Sequence, residues 1–394
     1  MKKSKRIFIY TEDAPVHRDV VAHGLHRAGP PILRSIRDHI DGIAIYPIGR
    51  RYGDRDLDQE LAPLCISLPR LPTILCKALR RYPALDFGVA DTLPALMLAR
   101  VVRRSHADIL FALVGADYGM LTRAARLAAM AGKSYAFYVV DDFLASLRIA
   151  GAKEDTVRSA WEEARVALRG AKHVFTITEG LGEHLRESYG VSPTTLRLAF
   201  EPEQRPMPPA KTQIIHVGGV NFLYAEGLHD LFRAVERVRL TSGVALEVRL
   251  TVPIKVAVQH LGELPPFVVS APVETSEGLA GEIASSLFAF LPYSFDLREK
   301  AMVTTSFPSK SLEYLAYARS IVVFGPDYGV ATKLFRDVDL PSVVSSPKEL
   351  EGAINSHLQT WPEHSAVYRR YLVEAHSLAA ARKTLCNDLG LAKD

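Results

Sequence analysis

The sequence predicts an α/β protein of two domains, each built on a parallel β-sheet that helices cover on both faces. Short apolar runs typical of buried strands alternate with helical patterns along most of the chain. The chain has 394 residues and is 48% hydrophobic, which suits two domains with separate cores. Residues 200–212 hold four prolines and little apolar content, and they interrupt the alternation as a linker would.

The first half of the chain supplies the first series of strands and helices. After a strand at residues 6–10, we expect a helix over residues 16–28 that stops at Gly29-Pro30-Pro31, because glycine and proline interrupt helices. Later apolar runs predict further buried strands in the same sheet. The strands are expected at residues 42–47, 107–115, 134–140 and 173–178, and the helices at 118–131, 153–169 and 179–189.

A second series follows the linker, beginning at residues 213–219. We therefore expect an N-terminal domain over residues 1–203, a second domain over 210–365, and a C-terminal helix over 366–394 that packs back toward the first domain. Ligands of open parallel sheets bind at the carboxyl ends of the strands. The strands of the second series are expected at residues 246–252, 267–270, 287–291 and 320–325, with helices at 309–318 and 361–389.

Composition excludes several classes of protein. A net charge of +4 does not require nucleic acid as a partner. The three cysteines, Cys65, Cys76 and Cys386, stand far apart in the sequence and form no CxxC pair, so they indicate neither a zinc ribbon nor a disulfide framework. No apolar run is long enough for a signal peptide or a membrane span, so we expect a cytoplasmic protein. The sequence lacks the motifs of P-loop ATPases, serine hydrolases, common dehydrogenases and HExxH metalloenzymes.

Three arginine pairs lie in the first third of the chain, at Arg50-Arg51, Arg80-Arg81 and Arg103-Arg104. One interpretation is that each pair lies on a solvated surface of the protein. The alternative is a basic face that meets anionic lipid or a lipid-phosphate acceptor. Both interpretations stay open at this point.

Residues 305–316 combine a helix start with a cation and a carboxylate. Pro308 suits the first helical turn, and the amides that follow it, from Ser309 onward, attract phosphate. Lys310 adds a charge that is unfavourable against the helix dipole unless an anion shares the site. Glu313, one turn later, can accept the two hydroxyl hydrogens of a ribose. The alternative is an ordinary i,i+3 ion pair on a surface helix.

This segment resembles the donor-site motif of glycosyltransferase family 4, the "glycosyl transferases group 1" family, and of GT-B relatives with the pattern fPsKxxEyla. The resemblance implies that Glu313 binds the ribose of a nucleotide-sugar donor. Thr305 stands where the family has the first glutamate of its Glu-x7-Glu pattern. Residues 318–320 replace the usual Gly-x-Pro, which is a second departure.

Residues 213–232 resemble the opening of the family's donor domain, and residues 171–181 resemble the end of its N-terminal domain. Gly218 and Gly219 let backbone approach a phosphate closely, although a plain tight turn is the alternative. The family's diphosphate-binding arginine falls on Gly219 and its lysine on Glu226. Lys310 is then the substitute cation.

Residues 139–143 resemble a strand end of the same family that often carries His-Asp facing the acceptor. Asp141 and Asp142 are therefore candidate catalytic residues, as proton acceptor or as stabiliser of positive charge on the sugar. The alternatives are a helix cap or a metal site, although the resemblance implies that no metal is bound. Tyr293 follows a donor-side strand, and it either stacks on the base or is an ordinary buried aromatic.

The resemblance implies GT-B architecture, with two Rossmann-like domains facing a central cleft. It implies a metal-independent hexosyltransferase (EC 2.4) of retaining outcome that uses a nucleotide sugar and no further cofactor. We expect a glycan or lipid-linked acceptor, a role in bacterial surface polysaccharide or glycoconjugate synthesis, and peripheral contact with the inner face of the cell membrane. The departures at Thr305, Gly219 and Glu226 keep two alternatives open: a nucleotide-sugar epimerase and a catalytically inactive scaffold.

Overall fold

The structure is a computed structural model that describes residues 5–11, 25–45, 57–66, 92–203, 207–337 and 343–391. Backbone contacts divide the chain into two compact units. The boundaries fall between Ala199 and Phe200 and between Ser377 and Leu378, so the last part of the chain belongs with the first unit. We call the N-terminal unit, with residues after Ser377, unit 1, and the unit from Phe200 to Ser377 unit 2.

Unit 1 contains a seven-stranded sheet in which every neighbouring pair is parallel, in the order β3-β2-β1-β4-β5-β6-β7. The central strands are buried along their whole length, as in the apolar run that forms β4. Burial on both faces explains why such strands lack an alternating pattern. The strands are β1 (Ile7–Thr11), β2 (Ile40–Ile45), β3 (Cys65–Ile66), β4 (Ile109–Val114), β5 (Ser134–Val139), β6 (His173–Thr176) and β7 (Thr194–Thr195).

The helices of unit 1 connect these strands, as parallel pairing requires. Two of them end at glycines in the left-handed conformation, Gly132 at φ 68° and Gly190 at φ 68°, where the sequence pattern predicts their ends. The helices are α1 (Leu25–Ser35), α2 (Thr92–Arg104), α3 (Gly119–Ala131), α4 (Phe143–Ile149), α5 (Glu154–Gly170) and α6 (Glu179–Tyr189).

Unit 2 contains a six-stranded parallel sheet in the order β10-β9-β8-β11-β12-β13. Its strands are β8 (Lys211–His216), β9 (Glu247–Leu250), β10 (Val268–Ser270), β11 (Ser286–Pro292), β12 (Ile321–Phe324) and β13 (Val343–Val344). Its helices are α7 (Phe222–Ser242), α8 (Ile254–Leu261), α9 (Ser276–Ser285), α10 (Lys300–Thr305), α11 (Lys310–Tyr317), α12 (Val330–Asp337), α13 (Pro347–Thr360) and α14 (Ser365–His376).

The end of α1 corrects the sequence-based prediction. Its described part continues through Pro30 and Pro31 to Ser35, although a stop at Gly29-Pro30-Pro31 is predicted. The side chains of Ile32 and Ile36 are fully buried, and their burial outweighs the two missing backbone donors. Residues 12–24, where most of the predicted helix lies, are outside the described residues.

The C-terminal segment is two helices, and not the single helix predicted over residues 366–394. The helix α14 belongs to unit 2, and a last helix, α15 (Leu378–Leu389), belongs to unit 1. There α15 packs on α1, and the Arg382 guanidinium donates a 2.8 Å hydrogen bond to the Ser35 carbonyl. Within the described ranges, no helix combines the length and the apolarity that crossing a membrane requires.

Candidate functional site

The residues that the sequence singles out in unit 2 meet at the carboxyl ends of neighbouring strands. The strand β8 ends at His216, and Gly218 and Gly219 follow it after Val217. The adjacent strands β9 and β11 end on the same edge of the sheet, because all three are parallel. The helix α11 begins there with Lys310. Ligands of open parallel sheets bind at such an edge.

The glycine loop formed by Gly218 and Gly219 leaves room beside the backbone. Gly218 has a φ of +81°, a conformation that a side chain disfavours, and its N–H donates a 3.0 Å hydrogen bond to Thr251 Oγ1. Among the described residues, no atom comes within 4 Å of a Cβ built on either glycine. The loop therefore has a fixed shape and open space in front of it.

Lys310 is a buried cation beside this loop. Its side chain is 7% exposed, and Nζ lies 3.3 Å from His216 Nε2 and 3.6 Å from the ring centroid of Tyr224. Burial lowers the pKa of Lys310 to about 7, while the carboxylate of Glu313 acts in the opposite direction. The amine is thus close to half-charged at neutral pH, and a bound anion would favour its charged form.

His216 connects Lys310 to the backbone on two sides. Its Nδ1 lies 3.2 Å from the Phe290 carbonyl oxygen, and its Nε2 lies 3.0 Å from the Gly219 carbonyl oxygen. Burial, with a smaller contribution from Lys310, lowers the pKa of His216 to about 3. The ring is therefore neutral at pH 7 and carries a single N–H.

Tyr314 fixes α11 to the two central strands of the sheet. Its hydroxyl accepts a 2.7 Å hydrogen bond from the Val217 N–H and donates to the Phe290 carbonyl at 3.3 Å. Burial raises the pKa of this hydroxyl well above its ordinary value. The neighbouring residue Glu313 is 8% exposed and lies one helical turn from Lys310. The predicted phosphate and ribose ligands thus share one turn of α11.

Two other predicted donor residues have mainly structural surroundings. Ser309 precedes α11 and is half-buried, but its hydroxyl makes no capping bond to the helix. Tyr293 is 1% exposed, and its hydroxyl donates a 2.7 Å hydrogen bond to the Ser306 carbonyl. Tyr293 is therefore a buried aromatic residue, as the alternative interpretation of the sequence predicts. Its ring packs against that of Tyr224, with the centroids 6.1 Å apart.

Two of the positions that depart from the family pattern, Thr305 and Glu226, make hydrogen bonds to backbone groups. Thr305 is buried and donates a 2.7 Å hydrogen bond to the Ala301 carbonyl of its own helix. Glu226, at the place of the family's lysine, accepts a 3.2 Å hydrogen bond from the Phe295 N–H. Lys310 is connected to the glycine loop through His216, whose Nε2 lies 3.3 Å from Lys310 Nζ and 3.0 Å from the Gly219 carbonyl oxygen.

In unit 1, the predicted aspartates follow β5. Asp142 is buried and caps α4, since its Oδ1 accepts hydrogen bonds from the Leu144 N–H at 3.1 Å and the Ala145 N–H at 3.0 Å. Its Oδ2 lies 3.5 Å from His184 Nε2. The capping alternative therefore describes Asp142. Asp141 is half-buried at the strand end, and burial, with a smaller contribution from the charge of Asp141, raises the pKa of the Tyr138 hydroxyl.

Sequence reasoning missed three residues of the site in unit 2: His216, Tyr224 and Tyr314. His216 stands just before the glycine loop at a strand end, and that position is a signal for a site residue. Tyr314 follows Glu313 in sequence, but its side chain points into the sheet and bonds backbone groups. Nothing in the spacing of Tyr224 indicates that its ring would face Lys310.

Comparison with known proteins gives relatives by structure alone. No protein-family model matches the sequence, and neither does any curated protein. HepE of Anabaena in complex with UDP-glucose is similar, with 12% identity, a TM-score of 0.66 and coverage of 98% of this chain and 99% of that one. Sucrose-phosphate synthase from Thermosynechococcus elongatus gives 11% identity and a TM-score of 0.65, over 97% of this chain and 98% of that one.

A third solved structure agrees with these two. The α,α-trehalose 6-phosphate synthase of Burkholderia multivorans is 12% identical, with a TM-score of 0.62, over 98% of this chain and 97% of that one. Identities this low concern the fold and leave the activity to separate evidence. The two parallel sheets, their order and these full-length likenesses together show that the chain has the GT-B fold.

Proposed function

We propose that the protein is a glycosyltransferase (EC 2.4, hexosyltransferase type) that transfers a sugar from a nucleotide-sugar donor bound by unit 2. The observation that carries this proposal is the buried Lys310 beside the open glycine loop, with Glu313 one turn further along α11. The groups nearest to the Lys310 amine, His216 and Tyr224, are neutral, and burial lowers its pKa despite the carboxylate of Glu313, so a bound anion would stabilise its charged form.

The parts of the donor map onto this edge of the sheet. The diphosphate would lie at the start of α11, where helix amides and the Lys310 ammonium attract negative charge. Because Thr251 already accepts the Gly218 N–H, we assign the phosphate contact of the loop to the backbone of Gly219. The Glu313 carboxylate would accept the hydroxyl hydrogens of the ribose. The solved structure of HepE holds UDP-glucose, which supports testing uridine donors first.

In the reaction, an acceptor hydroxyl oxygen bonds to the anomeric carbon while the bond from that carbon to the diphosphate breaks. The nucleoside diphosphate leaves with the electron pair, and Lys310 stabilises its developing charge without a metal ion. The hydroxyl proton passes to a base on the acceptor side, for which Asp141 is the candidate because Asp142 is used as a helix cap. A retaining outcome is part of the proposal, and it requires the acceptor oxygen to approach the anomeric carbon on the same face from which the diphosphate leaves.

We further propose that the acceptor is a glycan or lipid-linked molecule and that the enzyme works at the inner face of the cell membrane, in surface polysaccharide or glycoconjugate synthesis. The support is the outward face of α2. Leu96, Met97 and Val101 are 52%, 45% and 38% exposed there, among the exposed arginines Arg100 and Arg104. The helix holds no acidic residue, and such a face suits anionic lipid.

The test is a thermal-shift screen with UDP-, GDP-, ADP- and dTDP-glucose, followed by mass spectrometry of the products. We expect one nucleotide class to raise the melting temperature and its sugar to be transferred to an added acceptor. The variant Glu313→Gln should weaken donor binding about tenfold or more, because it removes a charged hydrogen-bond acceptor. The exposed Glu236→Gln on α7 is the matched control. No shift with any of the nucleotides would contradict the proposal.

The same experiment separates the two alternatives. An epimerase would release an altered sugar or free nucleotide without any added acceptor. An inactive scaffold would bind the donor and give no product under any condition. Thr305 and Glu226 make hydrogen bonds to backbone groups, and these contacts agree with either alternative. The product analysis decides between them.

A further inference from the structure

The surroundings of the Lys310 ammonium contain few charged groups. Among the residues that the structure describes, the titratable groups around it are His216 after β8, Tyr224 on α7, and Glu313 and Tyr314 on α11. The Tyr314 hydroxyl is bonded to backbone groups of both central strands. The contacts nearest to Nζ are therefore an imidazole nitrogen and an aromatic face, both of them neutral, while Glu313 supplies the carboxylate charge.

The hydrogen bonds of His216 decide how it meets Lys310. Its neutral ring has one N–H. If the proton is on Nδ1, the ring donates to the Phe290 carbonyl and the Nε2 lone pair accepts from the Lys310 ammonium. If the proton is on Nε2, the ring donates to the Gly219 carbonyl and offers no lone pair to the ammonium. His216 therefore accepts a hydrogen bond from the Lys310 ammonium only in the first tautomer, in which Nε2 also lies 3.0 Å from the Gly219 carbonyl oxygen.

Tyr224 supplies the second contact. The face of its ring carries negative potential and attracts a cation within about 6 Å of the centroid. The observed 3.6 Å between Nζ and the centroid is well inside that limit. The ring also contacts His216, with centroids 5.7 Å apart, so the two side chains form adjoining walls around the amine.

We propose that His216 and Tyr224 are positioning residues that hold the Lys310 amine beside the glycine loop, and that this amine takes up a proton from solvent when a nucleotide diphosphate binds. The inference rests on the proposed donor site and deepens it. In the bound state Nζ carries three protons, one of them directed at His216 Nε2, and the remaining positive charge faces the diphosphate. Neither His216 nor Tyr224 needs to touch the donor.

The sign of the pH dependence follows from the charge of the amine. Binding requires the charged form of Lys310, whose pKa lies at about 7 in the free protein because of burial. Donor affinity should therefore fall by about tenfold between pH 6 and pH 8. The imidazole of His216, whose pKa lies at about 3, stays neutral over this window and leaves the titration to the lysine.

Calorimetry measures the proton directly. UDP-glucose, or whichever nucleotide-glucose the screen identifies, is titrated into the protein in buffers of different ionisation enthalpy. We expect an uptake of about 0.9 proton per donor at pH 8 and about 0.1 at pH 6, for an amine whose pKa is near 7. The Lys310→Met variant should show none. An uptake that is equal at the two pH values in the wild type would overturn the proposal.

A second measurement needs no nucleotide, so its failure is distinguishable from failure of the proposed function. The ε-carbon resonance of Lys310, assigned by its absence in Lys310→Met, is followed by NMR in the ligand-free protein. We expect a midpoint near pH 7 that moves lower in His216→Leu and in Tyr224→Leu, because each change removes a contact that favours the ammonium.

The conservative variants His216→Gln and Tyr224→Phe are the controls, since the first keeps a hydrogen-bond acceptor and the second keeps the ring. We expect both to retain the midpoint to a greater degree than the leucine variants. A residue with a merely structural role would lower the melting temperature and leave the midpoint in place. A lysine resonance that does not titrate between pH 5 and 9 would overturn the proposal whatever nucleotide binds.

Discussion

At the scale of single residues, the site of unit 2 depends on one buried amine and the groups around it. Lys310 and Glu313 are recognisable in the sequence because a helix start, a cation and a carboxylate follow each other at fixed spacing. His216 and Tyr224 could not be found in this way. His216 and Lys310 are 94 positions apart in sequence, and a contact over such a separation depends on the strand order.

The buried amine gives a prediction for stability against pH. The folded-state pKa of Lys310 lies at about 7, well below that of an unfolded lysine, so between these values the unfolded chain binds more protons. Stability then rises with pH in this window. We expect the wild type to gain about 2 kcal/mol relative to Lys310→Met between pH 7 and pH 9.

The measurement is urea unfolding at both pH values, followed through the fluorescence of Trp361 in unit 2. The chain has two tryptophans, and a Trp161→Phe background in both proteins removes the signal of unit 1. A stability difference between wild type and Lys310→Met that stays constant from pH 7 to pH 9 would mean that the amine does not change its charge there.

At the scale of elements, the strands and most helices follow from local sequence. Short buried runs such as the one forming β4 are typical of strands in a parallel sheet, and α3 and α6 end at the glycines where the pattern predicts. The prediction is wrong at Pro30 and Pro31, where burial of neighbouring side chains outweighs the local preference of proline. Local rules contain no information about that tertiary contact.

The helix α4 tests which function Asp142 has. Its carboxylate satisfies two backbone N–H groups of α4, so Asp142→Ala should cost about 1 kcal/mol of stability. Asp142→Asn should keep the cap and most of that stability. If capping is the function of Asp142, the asparagine variant also keeps glycosyl transfer, whereas Asp141→Asn lowers kcat. Loss of kcat in Asp142→Asn with unchanged melting temperature would instead assign Asp142 to the reaction.

The helix α2 tests the proposed membrane contact. The double variant Leu96→Ser/Met97→Ser should reduce cosedimentation with vesicles of anionic lipid at least severalfold, because the exposed apolar side chains would no longer enter the lipid. Leu240→Ser, at an apolar residue of α7 that is 81% exposed, is the control. Vesicles of neutral lipid should bind neither protein. Equal cosedimentation of wild type and double variant would contradict the contact.

At the scale of the whole molecule, the architecture consists of two parallel sheets, one in each unit, and the last helix, α15, belongs to unit 1. The sequence predicts the two series of strands and the class of fold, which the full-length likenesses to solved structures confirm. It predicts one C-terminal helix that packs back toward the first domain, and it does not predict the break at Ser377 that divides this segment into α14 of unit 2 and α15 of unit 1. The Arg50-Arg51 and Arg80-Arg81 pairs lie outside the described residues.

The most direct test of the donor site is a crystal structure of the protein with the nucleotide sugar that the thermal-shift screen selects. The proposal predicts the diphosphate within hydrogen-bond distance of Lys310 Nζ and of the Gly219 backbone, and a ribose hydroxyl on the Glu313 carboxylate. A diphosphate bound away from the start of α11, with Lys310 still enclosed by His216 and Tyr224, would contradict it.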